Sequence, residues 1–104
     1  MIVVTTDTVP GRHIVATIGL VRGSSVRAAH AGDDVTAYFK NLVGGEVEEY
    51  TKLLAESREQ ALDRMLAEAA ARGANAVVGV RFVTCEIAGG CAEMLTYGTA
   101  VKLG

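Results

Sequence analysis

Tryptophan is absent from this chain of 104 residues, proline occurs once, histidine and cysteine twice each, and the aromatic residues amount to two phenylalanines and three tyrosines. So few aromatic rings leave no material for a base-stacking platform or a sugar-binding shelf. A basic surplus is also missing: ten Lys and Arg stand against twelve Asp and Glu, for a formal net charge of −2. Nucleic acid would meet no electrostatic footprint on such a chain. The apolar run near the N-terminus, Ile2 to Val4, is far too short for a membrane span or the core of a signal peptide. The expectation is a cytoplasmic protein with no membrane partner, and in that reducing compartment Cys85 and Cys91 are expected as free thiols.

What the chain does have is apolar residues, which make up 50% of it and give a mean hydropathy of +0.30. A single domain of this length buries only about 60 to 70% of its unfolded surface. A thin core cannot absorb so much apolar area, and monomers rarely leave it in contiguous exposed patches. The composition therefore points to a homo-oligomer in which the surplus lies between copies.

Along the chain, Ile2 to Thr6 reads as a short strand and Pro10-Gly11 as a turn. Arg12 to Val21 alternates with a period of two and has two fairly apolar faces, as in a strand covered on both sides. Arg22 to Gly32 is small and polar, which reads as a connection with at most one further short strand near Val26. Asp33 then precedes Val35, Tyr38, Phe39, Leu42 and Val43 at helical spacing, with Gly44 and Gly45 as the stop. A long helix is expected from Glu46 to Arg72. Glutamates fill its first turn, Arg72 its last, and Gly73 takes the capping position. Its buried stripe should run through Val47, Tyr50, Leu54, Ala61, Met65 and Ala69, widened by Leu53, Leu62 and Leu66. Ala76 to Ile87 and Glu93 to Leu103 read as a final hairpin across Ala88, Gly89 and Gly90. The expected fold class is α+β, a small antiparallel sheet packed on helices within one domain, 1–104.

The polar residues commit to little chemistry. Ser24, Ser25 and Ser57 lack the GxSxG elbow, and His13 and His30 lack HxH or HExxH spacing. Gly79 lies inside an apolar strand run, where glycine marks close backbone approach and not a phosphate loop. Gly44-Gly45 precedes three glutamates, which would repel an anion. Cys85 and Cys91, with Glu86 or Glu93, form the sharpest metal hypothesis, since Zn and Cu favour sulfur ligands. A three-residue turn would set the two thiols opposite each other, whereas a two-residue turn at Gly89-Gly90 would pair Cys91 with Ala88. The bland alternative is two small apolar fillers. A second polar set is Glu46, Tyr50 and Arg58 on the long helix with Asn75 just beyond it. Glu46 and Tyr50 are i, i+4 neighbours, and Arg58 borders the apolar stripe, so a guanidinium would be carried toward an interface and need a partner such as Glu46, Asp33 or Glu93. This set reads as an inter-subunit ion pair or as a grip on an anionic ligand. It would also serve an enzyme whose active site is shared between subunits, using Arg58, Tyr50 and an acid, but no catalytic residue is assigned.

Five segments in order, TT at Thr5 and Thr6, NLVGGEVEEY from Asn41 to Tyr50, SR at Ser57 and Arg58, GANAVVGVRF from Gly73 to Phe82 and YGTAV from Tyr97 to Val101, resemble the YbjQ-like family, whose members carry a heavy-metal-binding label. The resemblance spans nearly the whole chain. It implies a dodecin-like subunit and a ring-shaped homo-oligomer similar to a pentamer. Where relatives typically read RFDTS this chain reads RFVTC, so Val83 stands for an acid and Cys85 for a serine, and Cys91 falls where a small residue is usual. The two thiols are thus weak evidence for a shared metal site. The expected function is that of a non-enzymatic ring protein, with a metal ion or small ligand at subunit junctions as its cargo.

Overall fold

The computed structural model describes residues 1–28, 48–88 and 91–104. Four strands form one sheet in the order β1-β3-β4-β2, with β1 Ile2–Val3, β2 Ile14–Ala28, β3 Ala76–Ala88 and β4 Cys91–Leu103. One described helix, α1, runs Glu48–Ala71. The class is α+β, as expected. The sheet is mixed, however, because β1 lies parallel to β3 while the other pairings are antiparallel. The expected all-antiparallel sheet fails at this strand because β1 joins the β3 side and the chain then crosses to the opposite edge to form β2. The helix expected at Asp33 to Val43 and the start of the long helix at Glu46 lie outside the described residues.

The long helix ends as its sequence requires. Gly73 adopts φ +84°, its N–H donates to Ala70 O, and the Ala74 N–H reaches back to Ala69 O. This double bond pattern satisfies terminal carbonyls at a left-handed residue that glycine adopts without a Cβ penalty. Arg72 does not serve the helix's own carbonyls: its guanidinium crosses to Leu20 O at 2.8 Å and Ile18 O at 3.1 Å on β2. Ala61, Met65 and Ala69 are fully buried, and Met65 and Ala69 pack with Val21, Val77, Val80 and Ala100. Leu53, Leu54, Leu62 and Leu66 are half-buried. The expected stripe is therefore present from Leu53 onward, while the side chains of Val47 and Tyr50 are outside the described part.

The expected connection from Arg22 is instead the second half of β2, which pairs with β4 out to Ala28 opposite Cys91. The small residues there serve α1. A Cβ on Gly23 would collide with Ala61 O and the Met65 backbone nitrogen, so the helix rests directly on the strand backbone at this position. Close approach, not chain flexibility, explains this glycine.

A second core lies on the other sheet face, where Ile2, Val4 and Val9 cover Ala76, Val78, Val101 and Leu103. The N-terminal segment follows β3 past the two paired residues of β1: Val4 N–H donates to Val77 O, Val80 N–H to Val4 O, and Gly79 N–H to Thr6 O. Regular strand pairing stops at Val3, short of the expected Thr6, near the point where β3 shifts register against β4 between Val78 and Arg81. Gly79 lies within that shift with φ +62°.

Among the described residues, only one end of the sheet is thus covered on both faces. The principal extents are 52 × 23 × 16 Å and the radius of gyration is 16.9 Å, against about 13 Å for a compact domain of this length. The β3-β4 hairpin and the second half of β2 project beyond the second core.

Candidate functional site

Strand alternation decides which side chains meet on the projecting sheet. On β4, Ala92, Met94, Thr96, Gly98 and Ala100 turn toward the helix side and are buried, while Cys91, Glu93, Leu95, Tyr97 and Thr99 turn to the other face and are half-buried. Direct pairing places Leu20, Arg22, Ser24 and Val26 of β2 and Arg81, Val83 and Cys85 of β3 on that same open face. Leu20 is 61% exposed, Val26 57% and Val83 44%. Phe82, on the helix side but beyond the reach of α1, is 43% exposed.

The edges of the sheet differ. From Arg81 to Glu86 every side chain of β3 is exposed, and β1 pairs only with Ala76 and Val77. On the side away from β4, the distal half of β3 therefore has no strand beside it among the described residues. Arg81 fixes the inner end of this stretch by donating to Thr5 O at 2.9 Å and Val80 O at 2.8 Å.

The cysteines sit on the open face but not opposite each other. Cys91 pairs with Ala88 and Cys85 with Glu93, the arrangement of the two-residue connection. Glu93 follows Cys91 by two residues, so both thiols and this carboxylate share a face, whereas Glu86 pairs with Ala92 on the other. The thiols are diagonal neighbours, whose Cβ atoms usually stand somewhat less than about 7 to 8 Å apart, and both are free. Cys85 is exposed and Cys91 half-buried. Among the described residues no group of three or more His, Cys, Asp and Glu is disposed to hold a metal ion. Among the described residues this face thus offers two thiols and one carboxylate that are not gathered around a common point.

Of the other polar set, only Arg58 and Asn75 have described side chains, and these two do not meet. Arg58 is exposed, and Glu46 and the Tyr50 side chain lie outside the described residues. Asn75 stands past the far end of α1, roughly 20 Å from Arg58 along an axis that rises about 1.5 Å per residue. Its role is local. Asn75 Nδ2 donates to Leu103 O at 3.0 Å and its Oδ1 accepts from Leu103 N–H at 2.7 Å, which imitates a strand partner for the end of β4. Asn75→Ala should cost about 1 to 3 kcal/mol, because both backbone groups of Leu103 lose their partner. Urea unfolding checks this, with Asn75→Asp expected to recover little, since a carboxylate cannot donate to the carbonyl. His13 is exposed, and its carbonyl accepts from Gly104 N–H. His30 lies outside the described residues.

Sequence reasoning missed a polar seam beneath α1. Gln60 Oε1 accepts from Ser25 Oγ at 2.7 Å and from Arg27 Nη2 at 3.1 Å. Ser57 is buried nearby in sequence, and the fully buried Thr96 has no hydrogen-bond partner for its Oγ1 among the described residues. The signal was the pairing of small hydroxyl residues on a strand with polar positions on the buried side of the helix. It was hidden because the serines read as loop.

A helix over a mixed four-stranded sheet defines a small α+β domain. Residues 1–104 match the YbjQ family model, described as "Putative heavy-metal-binding", and the chain belongs to that family. It is 52% identical over 103 residues to a UPF0145 protein of Archaeoglobus fulgidus, covering 99% of this chain and 95% of the relative. A UPF0145 protein of Fervidobacterium nodosum is 56% identical over 103 residues, with the same shares covered. A crystal structure of a DUF74-family protein of unknown function from Pediococcus pentosaceus aligns with a TM-score of 0.67 at 17% identity, over 100% of this chain and 98% of that one. This likeness shows the fold. No described helix is long and apolar enough to cross a membrane.

Proposed function

We propose that the chain is a non-enzymatic subunit of a ring-shaped homo-oligomer in the cytoplasm, pentameric and dodecin-like as its family resemblance implies, whose work is to bind a metal ion or small ligand where subunits meet. The single observation that carries the reading is the open face of the projecting sheet, with Leu20, Val26 and Val83 each more than two-fifths exposed. Covering a side chain of this size contributes roughly 1.5 to 3 kcal/mol, and a second copy of the chain is the partner always present at matching concentration. Cys85, Cys91 and Glu93 lie on this same face. Their spread within one subunit is the reason to place any metal at a junction, where a second chain completes the donor set. The family's heavy-metal label supports the same cargo. In this reading Arg58 contributes by pairing across the junction.

Metal content and particle mass, measured together on untagged protein, test the proposal. Zn(II) or Cu(I) should be taken up in a fixed ratio to chains, and Cys85→Ser with Cys91→Ser should reduce uptake at least tenfold while leaving the mass unchanged. Uptake unaffected by the double substitution would remove the thiols from the site. An assembled protein that takes up neither ion would remove the metal and leave only the assembly.

A further inference from the structure

The outer edge of β2 is not bare. Alternate residues of an edge strand turn both backbone groups outward, away from their only partner strand. On β2 four such groups, at Ile18, Leu20, Arg22 and Ser24, are bonded by side chains of α1 and of Arg72 just past its end. Arg64 Nη1 donates to Ser24 O at 2.6 Å, and Glu68 Oε2 accepts from Arg22 N–H at 3.2 Å. Arg72 donates to Leu20 O at 2.8 Å and Ile18 O at 3.1 Å. The signs are right in each case, with arginine meeting carbonyl and glutamate meeting amide.

The register explains why one helix can do this. Arg64, Glu68 and Arg72 are spaced by four residues, a rise of about 6 Å on a helix. Ser24, Arg22 and Leu20 are spaced by two, about 6.7 Å on a strand. Running in opposite directions, the two series stay in step for three rungs. Gly23 makes the approach close enough, since α1 rests on the β2 backbone beside Arg64. The second turn of contact is helped by Gly19, against which the Arg72 guanidinium lies.

We propose that Arg64, Glu68 and Arg72 form an edge guard: they hold the bonding groups of β2 between Ile18 and Ser24 and so exclude strand addition there by a second copy of this chain. Edge-to-edge growth through β2 is closed, while the distal outer edge of β3 carries no such bonds among the described residues. The guard thereby limits which surfaces of the subunit take part in self-association. Each rung is exposed and charge-assisted, so removal frees the edge without emptying the core.

The experiment compares the native chain with the triple variant Arg64→Ala, Glu68→Ala, Arg72→Ala, in which alanine keeps helix propensity high. Unchanged helical circular dichroism qualifies the variant. It should grow with concentration into particles larger than the native ones, with an infrared signature of intermolecular sheet, and the Arg22 amide should exchange with solvent at least tenfold faster. A variant that retains the native particle mass at every concentration overturns the guard. If the triple variant loses helix, Glu68→Ala alone is read by amide exchange: accelerated exchange confined to Arg22 supports the contact, and an unchanged rate overturns it. The inference does not rest on the ring. A native monomer would refute the assembly and leave the guard standing, because the comparison is between variant and native mass.

Discussion

Gly23→Ala is expected to lower the stability of the fold by about 3 kcal/mol, the upper range for forcing one methyl group into a packed site. For a domain near 100 residues this lowers the melting temperature by roughly 12 to 24 °C. The cause is specific. The added carbon would meet Ala61 O and the Met65 nitrogen, both backbone atoms, and Arg64 Cβ at 2.9 Å. Backbone cannot step aside as the tip of a side chain does, so the whole helix must lift from β2. Lifting it separates Met65 from Val21 and breaks the register of Arg64, Glu68 and Arg72 with the strand edge. Calorimetry of the variant checks the magnitude. A change under 0.5 kcal/mol, the scale of an ordinary surface substitution, would mean that α1 does not rest on β2 at this height.

The second large effect concerns the open face. Leu20→Glu with Val83→Glu should weaken self-association at least a hundredfold, because a carboxylate sealed at a contact without a partner costs several kcal/mol and each 1.4 kcal/mol is a factor of ten. Both side chains are more than two-fifths exposed in the single chain, so the fold itself should be little changed, with stability of the dissociated subunit within about 0.5 kcal/mol. Sedimentation across a concentration series reads the association constant. The same double substitution on the already covered face, for instance at Val21 and Val77, would instead unfold the chain. Loss of association with retained fold is the outcome that assigns the face; full association of the double variant would assign the contact elsewhere.

Local sequence signals carried the elements whose determinants are local. The helix through Met65 to Ala71 was legible because its apolar spacing and the glycine cap act within a few residues of each other, and the structure places both as expected; Arg72, expected in the last turn, stands just past it and turns to β2. The hairpin was legible for the same reason, although its two-residue connection, which sets Cys85 against Glu93, was one of two readings. The second half of β2 was not legible. Gly23, Ser24 and Ser25 have the composition of a loop, and only the helix lying on Gly23, nearly forty residues away in sequence, makes a small residue a packing requirement there. The parallel pairing of β1 was hidden likewise, because its partner Ala76 lies across the whole chain. At the site, Asn75 drew notice as a polar residue near an interface, but its partner is the backbone of Leu103, an acceptor and a donor that no side-chain motif displays. The guarding residues were visible as charges at i, i+4 and i+8. That spacing usually means a solvated helix face, and nothing in it announces a strand edge alongside.

The central claim is that the apolar face of the projecting sheet is covered by other copies of the same chain. Light scattering on the purified, untagged protein at micromolar concentration measures this most directly. The account predicts one discrete particle several times the 10.8 kDa chain mass, five times if the family resemblance extends to the ring, and constant on tenfold dilution. A particle of one chain mass at that concentration, with native circular dichroism, would contradict it.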